Sequence, residues 1–153
     1  MTTIAYDPKE KKIAIDSRGC LGDMISTDSS QKWIEDETGI YFTSGVRPDS
    51  YALIEGIKAE AVQLESIKEF SATVLHVKDG SVYLYSFQDN NFIYHEEITN
   101  YEFRGFGSGG DWAVAANDFG SSVKDCVKYA ITRDHYSGGK VSVYDVDSGR
   151  FIK

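Results

Sequence analysis

The sequence is poor in the features that would place it outside the cell, on a nucleic acid or in a membrane. It has two cysteines, Cys20 and Cys126, too few for a disulfide framework, so a reducing, cytoplasmic setting is expected. Positive charge is also short: 16 Lys+Arg stand against 24 Asp+Glu, a formal net charge of −8. Phosphate backbones and anionic lipid surfaces select a basic footprint, so neither nucleic acid nor membrane is expected as a partner. No apolar run approaches the ~18 residues of a transmembrane helix, and Met1-Thr2 opens on no basic segment of a signal peptide. The histidines His76, His95 and His135 have no ligand-like spacing to one another or to a cysteine, so no metal or cofactor is expected. Internal repeats, low-complexity tracts and linkers are missing too, and residues 1–153 are read as one domain.

What the chain does contain is mostly strand. Residues 3–6 and 12–16 are β-rich runs joined through Asp7-Pro8-Lys9-Glu10, which predicts a hairpin. Residues 17–30 are polar and rich in Gly, Ser and Asp, and read as loop. Residues 31–34 and 39–43 form the next strand pair, turning through Glu35-Asp36-Glu37. Pro48-Asp49 then starts a helix with Leu53, Ile57, Ala61 and Leu64 on one face; Gly56 inside it fits if it packs closely on a neighbour. Residues 72–78 and 81–87 flank Asp79-Gly80, a strong hairpin signal. Asp89-Asn90-Asn91 turns into a strand at 92–95, and a further strand is expected at 103–106. Asp111 is expected to cap a helix over 112–119 that stops at Gly120. Ser122 is expected to cap a second helix, with Val123, Cys126, Val127, Ala130 and Ile131 as its buried stripe. Residues 140–146, a turn at Asp147-Ser148-Gly149 and Phe151-Ile152 close the chain. Strands at both ends with helices in two separate groups predict an α+β fold of two packed sheets with helices outside.

Several residues carry latent chemistry. Thr2 behind the initiator is small enough for Met1 to be removed, which would leave a hydroxyl and a free α-amine on one residue. That amine, with an ordinary pKa of about 7.7–8.0, is a base within reach of the hydroxyl. Asp16 at a strand end would ordinarily be a turn-former, and Lys32 a surface lysine. If both point at Thr2, the ammonium would lower the hydroxyl's pKa and the carboxylate would keep the ammonium charged. Gly105-Phe106-Gly107-Ser108-Gly109-Gly110 has the look of a phosphate loop, but no Lys-Ser/Thr follows and Asp111 sits where the anion would go. It reads instead as a tight turn whose Ser108 presents its hydroxyl to a neighbouring site. Arg133-Asp134-His135-Tyr136-Ser137-Gly138-Gly139 reads as a helix C-terminus, with His135 discounted as a partner of Asp134 because chain neighbours seldom face each other.

Taken in order, Thr2-Thr3-Ile4, the stretch Ile13-Ala14-Ile15-Asp16-Ser17-Arg18, Lys32, Gly107-Ser108-Gly109-Gly110 and the 133–139 cluster resemble the proteasome β-subunit and HslV family of N-terminal-nucleophile threonine proteases. The resemblance implies a four-layer αββα sandwich of two antiparallel sheets and a threonine-type peptidase acting through an acyl-enzyme on Thr2. It implies that Lys32 activates Thr2, that Asp16 orients Lys32, and that Ser108, Asp134 and Ser137 position the amine and its water. The backbone N–H of Gly45 would be the oxyanion donor, and Thr43 with Cys20 would line the substrate pocket. A homo-oligomeric ring acting on peptides or unfolded protein follows from the same likeness. Only one helix fits between Gly45 and residue 72, where the family has two. One outer helical layer is therefore shortened, and with it the surface on which subunits and an ATPase unfoldase would dock. Two other readings stand beside this one: a non-catalytic relative kept for assembly or binding, and an amidase of the same nucleophile class acting on a small amide.

Overall fold

The computed structural model describes residues 2–153. In chain order its elements are β1 (Ile4–Asp7), β2 (Lys12–Ile15), β3 (Gly19–Leu21), β4 (Met24–Thr27), β5 (Trp33–Asp36), β6 (Gly39–Gly45) and α1 (Arg47–Lys58). There follow β7 (Ala72–Lys78), β8 (Ser81–Phe87), a 3-10 turn (Asp89–Asn91), β9 (Ile93–Glu97), β10 (Arg104–Phe106), α2 (Gly110–Asp118), α3 (Val123–Arg133), β11 (Ser142–Asp145) and β12 (Arg150–Ile152). The α+β class is as expected, with three antiparallel sheets among the described residues instead of the two predicted. The third is the β3–β4 hairpin, which lies inside the stretch that reads as loop. It turns at Gly22, whose φ of 59° is left-handed. No described helix is long and apolar enough to cross a membrane.

The chain divides into two compact units, residues 1–32 with 100–153, and residues 33–99. The first holds the sheet β10-β1-β2-β11-β12, the β3–β4 hairpin, α2 and α3. Small residues on one face of β1, β2 and β11 (Ala5, Ala14, Val143) receive Ala113 and Ala116 of α2 and the stripe Val123, Cys126, Val127 and Ala130 of α3. Ser122 caps α3 as predicted, its hydroxyl accepting the Asp125 N–H. Asp111 does not cap α2. That role falls to Gly109, with no side-chain bond, and Asp111 lies within the first turn. Backbone crowding explains the choice: a Cβ on Gly105 would sit 2.3 Å from the Gly110 carbonyl oxygen, so the strand-to-helix turn closes on glycines.

The stripe explains the two thiols. Cys126 is fully buried, its pKa pushed up to about 11, first by burial and then by Asp7, Glu10 and Asp125, whereas Cys20 on β3 is only half-buried. Since the thiolate is the reactive form, one equivalent of a maleimide is expected to label Cys20 in the native chain. A second adduct, on Cys126, should appear only in denaturant. Mass spectrometry of native and unfolded samples checks this; native labelling of Cys126 would contradict the packing.

The second unit is the sheet β5-β6-β7-β8-β9 with α1 on it. Leu53 and Ile54 of α1 pack against Tyr41, Ala72 and Val74 of the sheet. The β7–β8 turn is the one predicted, with Asp79 and Gly80 at φ of 51° and 79°. His76 is buried, stacked on Tyr41 at 4.1 Å and bonded to the Thr38 carbonyl, a satisfied core histidine. Helix α1 ends at Lys58, short of Ala61 and Leu64. The N–H groups of Glu60 and Ala61 bond back to the carbonyls of Ile57 and Gly56, with Glu60 at a φ of 55°. This is a Schellman stop with a glutamate in the left-handed position. Leu64 still reaches the expected face, because a Cβ on Gly56 would lie 3.3 Å from its Cδ2. Residues 59–71 then run as a strap, with no helix. Buried Asp49 holds it by accepting the Lys68 ammonium at 2.7 Å and the Ser71 N–H at 2.9 Å, and Asn91 bonds Phe70 and Lys68.

Candidate active site

The site is built by extending the β1–β2 hairpin one step. Strand register pairs Ile4 with Ile15, and the Asp16 N–H continues the ladder by donating to the Thr3 carbonyl at 3.3 Å. Asp16 is thereby carried into the interior with no exposed surface. Its Oδ1 accepts the Thr3 N–H at 3.0 Å and the Lys32 ammonium at 2.8 Å. Its Oδ2 accepts the N–H groups of Arg18 at 3.2 Å and Gly138 at 2.9 Å. One carboxylate thus ties together the chain start, the lysine and the 133–139 segment.

A second carboxylate does the same for the hydroxyls. Asp134 ends α3, and its Oδ2 accepts Ser108 Oγ and Ser137 Oγ, each at 2.6 Å. Ser137 Oγ also lies 2.6 Å from Thr3 Oγ1. Because Ser137 spends its single proton on Asp134, Thr3 is the donor in that pair. The Thr2 carbonyl accepts the Gly109 N–H at 3.4 Å, so the backbone on both sides of the Thr2–Thr3 peptide is held.

Lys32 is buried beside Asp16, and two opposed influences act on its ammonium. Asp16 does favour the charged ammonium, as do Cys20 and Asp134 more weakly, but burial is the largest influence and brings the lysine's pKa below its ordinary 10.5. The ammonium is therefore easier to deprotonate than a surface lysine. That suits a group that exchanges protons with a neighbour as well as one that acts as a fixed charge.

The glycines around these residues are dictated by contact. A Cβ on Gly138 would fall 2.4 Å from the Arg18 guanidinium carbon, and one on Gly139 would fall 2.4 Å from Ser17 Oγ. Arg18 is itself clamped by Asp28 at 2.7 and 3.2 Å and bonds the His135 carbonyl. His135 turns away from Asp134, to the Asp23 carbonyl at 3.0 Å. Gly109 is the tightest position: its Cβ would lie 1.8 Å from Thr3 Oγ1 and 3.2 Å from Asp134 Oδ2. Gly109→Ala is therefore expected to cost about 1–3 kcal/mol by overpacking and to break the Thr3–Ser137 contact. Urea unfolding of the variant measures it. A loss under half a kilocalorie would show that the loop yields freely.

Of the residues singled out in the sequence, Asp16, Lys32, Ser108, Asp134 and Ser137 belong to this bonded cluster at the Thr2–Thr3 backbone, and Thr2 is buried there. Met1, whose removal the reading requires, lies outside the described residues. Cys20 is on the β3–β4 hairpin of the same unit. Thr43 and Gly45 lie on β6 in the second unit, Gly45 at a φ of 105° with Ser71 packed on it. Thr3 is the participant that the sequence reading passed over. Its strand parity opposite Asp16 was the available signal. Among the described residues, no three His, Cys, Asp or Glu side chains converge as a metal site would require. Neither models of known protein families nor curated proteins match the chain.

Proposed function

We propose that the chain is a threonine-type peptidase of the N-terminal-nucleophile class, a single proteasome-β- or HslV-like domain with the αββα sandwich of that family. The observation that carries this reading is the pair of buried carboxylates. Asp16 binds Lys32 and the Thr3 N–H, and Asp134 binds two serines, one of which reaches Thr3. With Met1 removed, the Thr2 amine takes the hydroxyl proton as Thr2 Oγ1 attacks the scissile carbonyl. Lys32 stabilises the developing alkoxide, the C–N bond breaks as the leaving amine receives the proton, and an ester to Thr2 remains. Water, deprotonated by the same amine, hydrolyses that ester and regenerates the hydroxyl. The substrates are peptides or unfolded protein, and the setting is a cytoplasmic homo-oligomeric ring. Cleavage of short fluorogenic peptides by the Met1-free chain tests the proposal. Turnover of peptides in preference to simple amides supports it; inertness towards every peptide of a mixed library would sink it.

A further inference from the structure

On α3, Lys124, Lys128 and Ile131 follow one another along one face, and Gly139, Lys140 and Val141 stand opposite on the segment entering β11. These residues line a cleft of about 400 Å³. The three lysines are exposed, and among the described residues none has a side-chain hydrogen bond or ion pair. No carboxylate lines the cleft. In a chain of net charge −8 this is a local reversal of sign. Ile131 and Val141 pack against the core of the first unit and give the cleft an apolar floor. Its size lies within the range of small-molecule sites, roughly 300–1,000 Å³. Lysine ammoniums bind phosphate as point charges, and three of them together favour a phosphate monoester, which carries about −1.5 to −2 charge at pH 7, over a monocarboxylate with one.

We propose that this cleft binds a small organic phosphate, its charged end among Lys124, Lys128 and Lys140 and its apolar body on Ile131 and Val141. Both walls of the cleft lead into the candidate active site. Helix α3 is capped at its C-terminus by Asp134. Gly139 follows Ser137 and Gly138, whose hydroxyl and N–H hold Thr3 at 2.6 Å and Asp16 at 2.9 Å. An occupant of the cleft therefore acts on the segment that positions the catalytic cluster. This coupling rests on the peptidase reading; the binding does not.

The test is a titration of the isotopically labelled full chain with phenyl phosphate, read by amide chemical shifts, with inorganic phosphate and benzoate as comparators. Saturable shifts are expected at Lys124, Lys128, Gly139, Lys140 and Val141, and phenyl phosphate should bind more tightly than either comparator. K124A/K128A should weaken binding about tenfold, and K9A/K78A, which removes two exposed lysines elsewhere, should leave it unchanged. Absence of saturable shifts at millimolar phenyl phosphate, equal weakening by the control pair, or equal affinity for benzoate overturns the proposal. If the cleft titrates while the Ser137 and Gly138 amides stay still, the coupling is overturned and the binding stands. Loss of the peptidase reading would leave the binding shifts untouched.

Discussion

Thr2→Ala is expected to reduce peptide hydrolysis to background while leaving the fold in place. Where nucleophile and base act as a unit, removing the nucleophile costs kcat on the order of a million-fold. In the proposed mechanism Thr2 supplies both groups, so no other hydroxyl in the cluster can substitute. Thr3 Oγ1 is directed to Ser137, and Ser137 and Ser108 to Asp134, so each of those protons already has an acceptor. Stability should change little, because the bond that Thr2 makes to Gly109 is through its carbonyl, which alanine keeps. Thr2→Ser should retain measurable turnover because the hydroxyl and the amine both survive. Peptide cleavage by Thr2→Ala at the rate of the parent chain would remove the nucleophile from the account.

The second large effect is on stability. Asp16→Ala deletes the acceptor for the Lys32 ammonium and for the N–H groups of Thr3, Arg18 and Gly138, leaving a buried cation without its counter-charge. Breaking such a pair costs about 3–5 kcal/mol. The pH dependence follows from Lys32. Its folded pKa is already below 10.5, chiefly because it is buried, and losing Asp16 lowers it further. Between that folded value and 10.5 the unfolded chain binds more protons, so stability rises with pH through the window. The Asp16→Ala deficit should therefore shrink as pH is raised towards 10.5. Adding Lys32→Met removes the stranded charge and should recover about 1–3 kcal/mol as a coupling energy, with the pH dependence flattened. Chemical denaturation of the four chains of the cycle provides the measurement. Strict additivity would mean that the pair does not act as one.

Local signals account for what could be read from the chain. Asp79-Gly80 dictates a turn whatever surrounds it, and Ser122 with its following apolar stripe dictates α3. The β3–β4 hairpin lacks such a signal. Its strands have three and four residues, β4 is exposed throughout, and no alternation betrays a buried face. Helix α1 stops early because the backbone caps at Glu60, yet Leu64 packs on the same face from the strap, so the apolar period continues past the helix. Asp111 has the chemistry of a cap, yet the cap falls two residues earlier, at Gly109, beside a turn in which Gly105 and Gly110 pack too closely for any side chain. In the candidate site, the motifs marked Asp16, Lys32, Ser108, Asp134 and Ser137, but not how they connect. Thr3 enters only through its register with Asp16. The lowered pKa of Lys32 depends on burial, which no spacing of residues reports.

The central claim is that the Thr2 hydroxyl attacks with its own freed amine as base. Its most direct test is mass spectrometry of the chain after exposure to an electrophile that requires an adjacent hydroxyl and amine. The account predicts a chain lacking Met1 that carries one adduct, mapped by fragmentation to Thr2 and absent from Thr2→Ala. A Met1-free chain that stays unmodified, or an adduct mapped to Thr3 or Cys20, would contradict it.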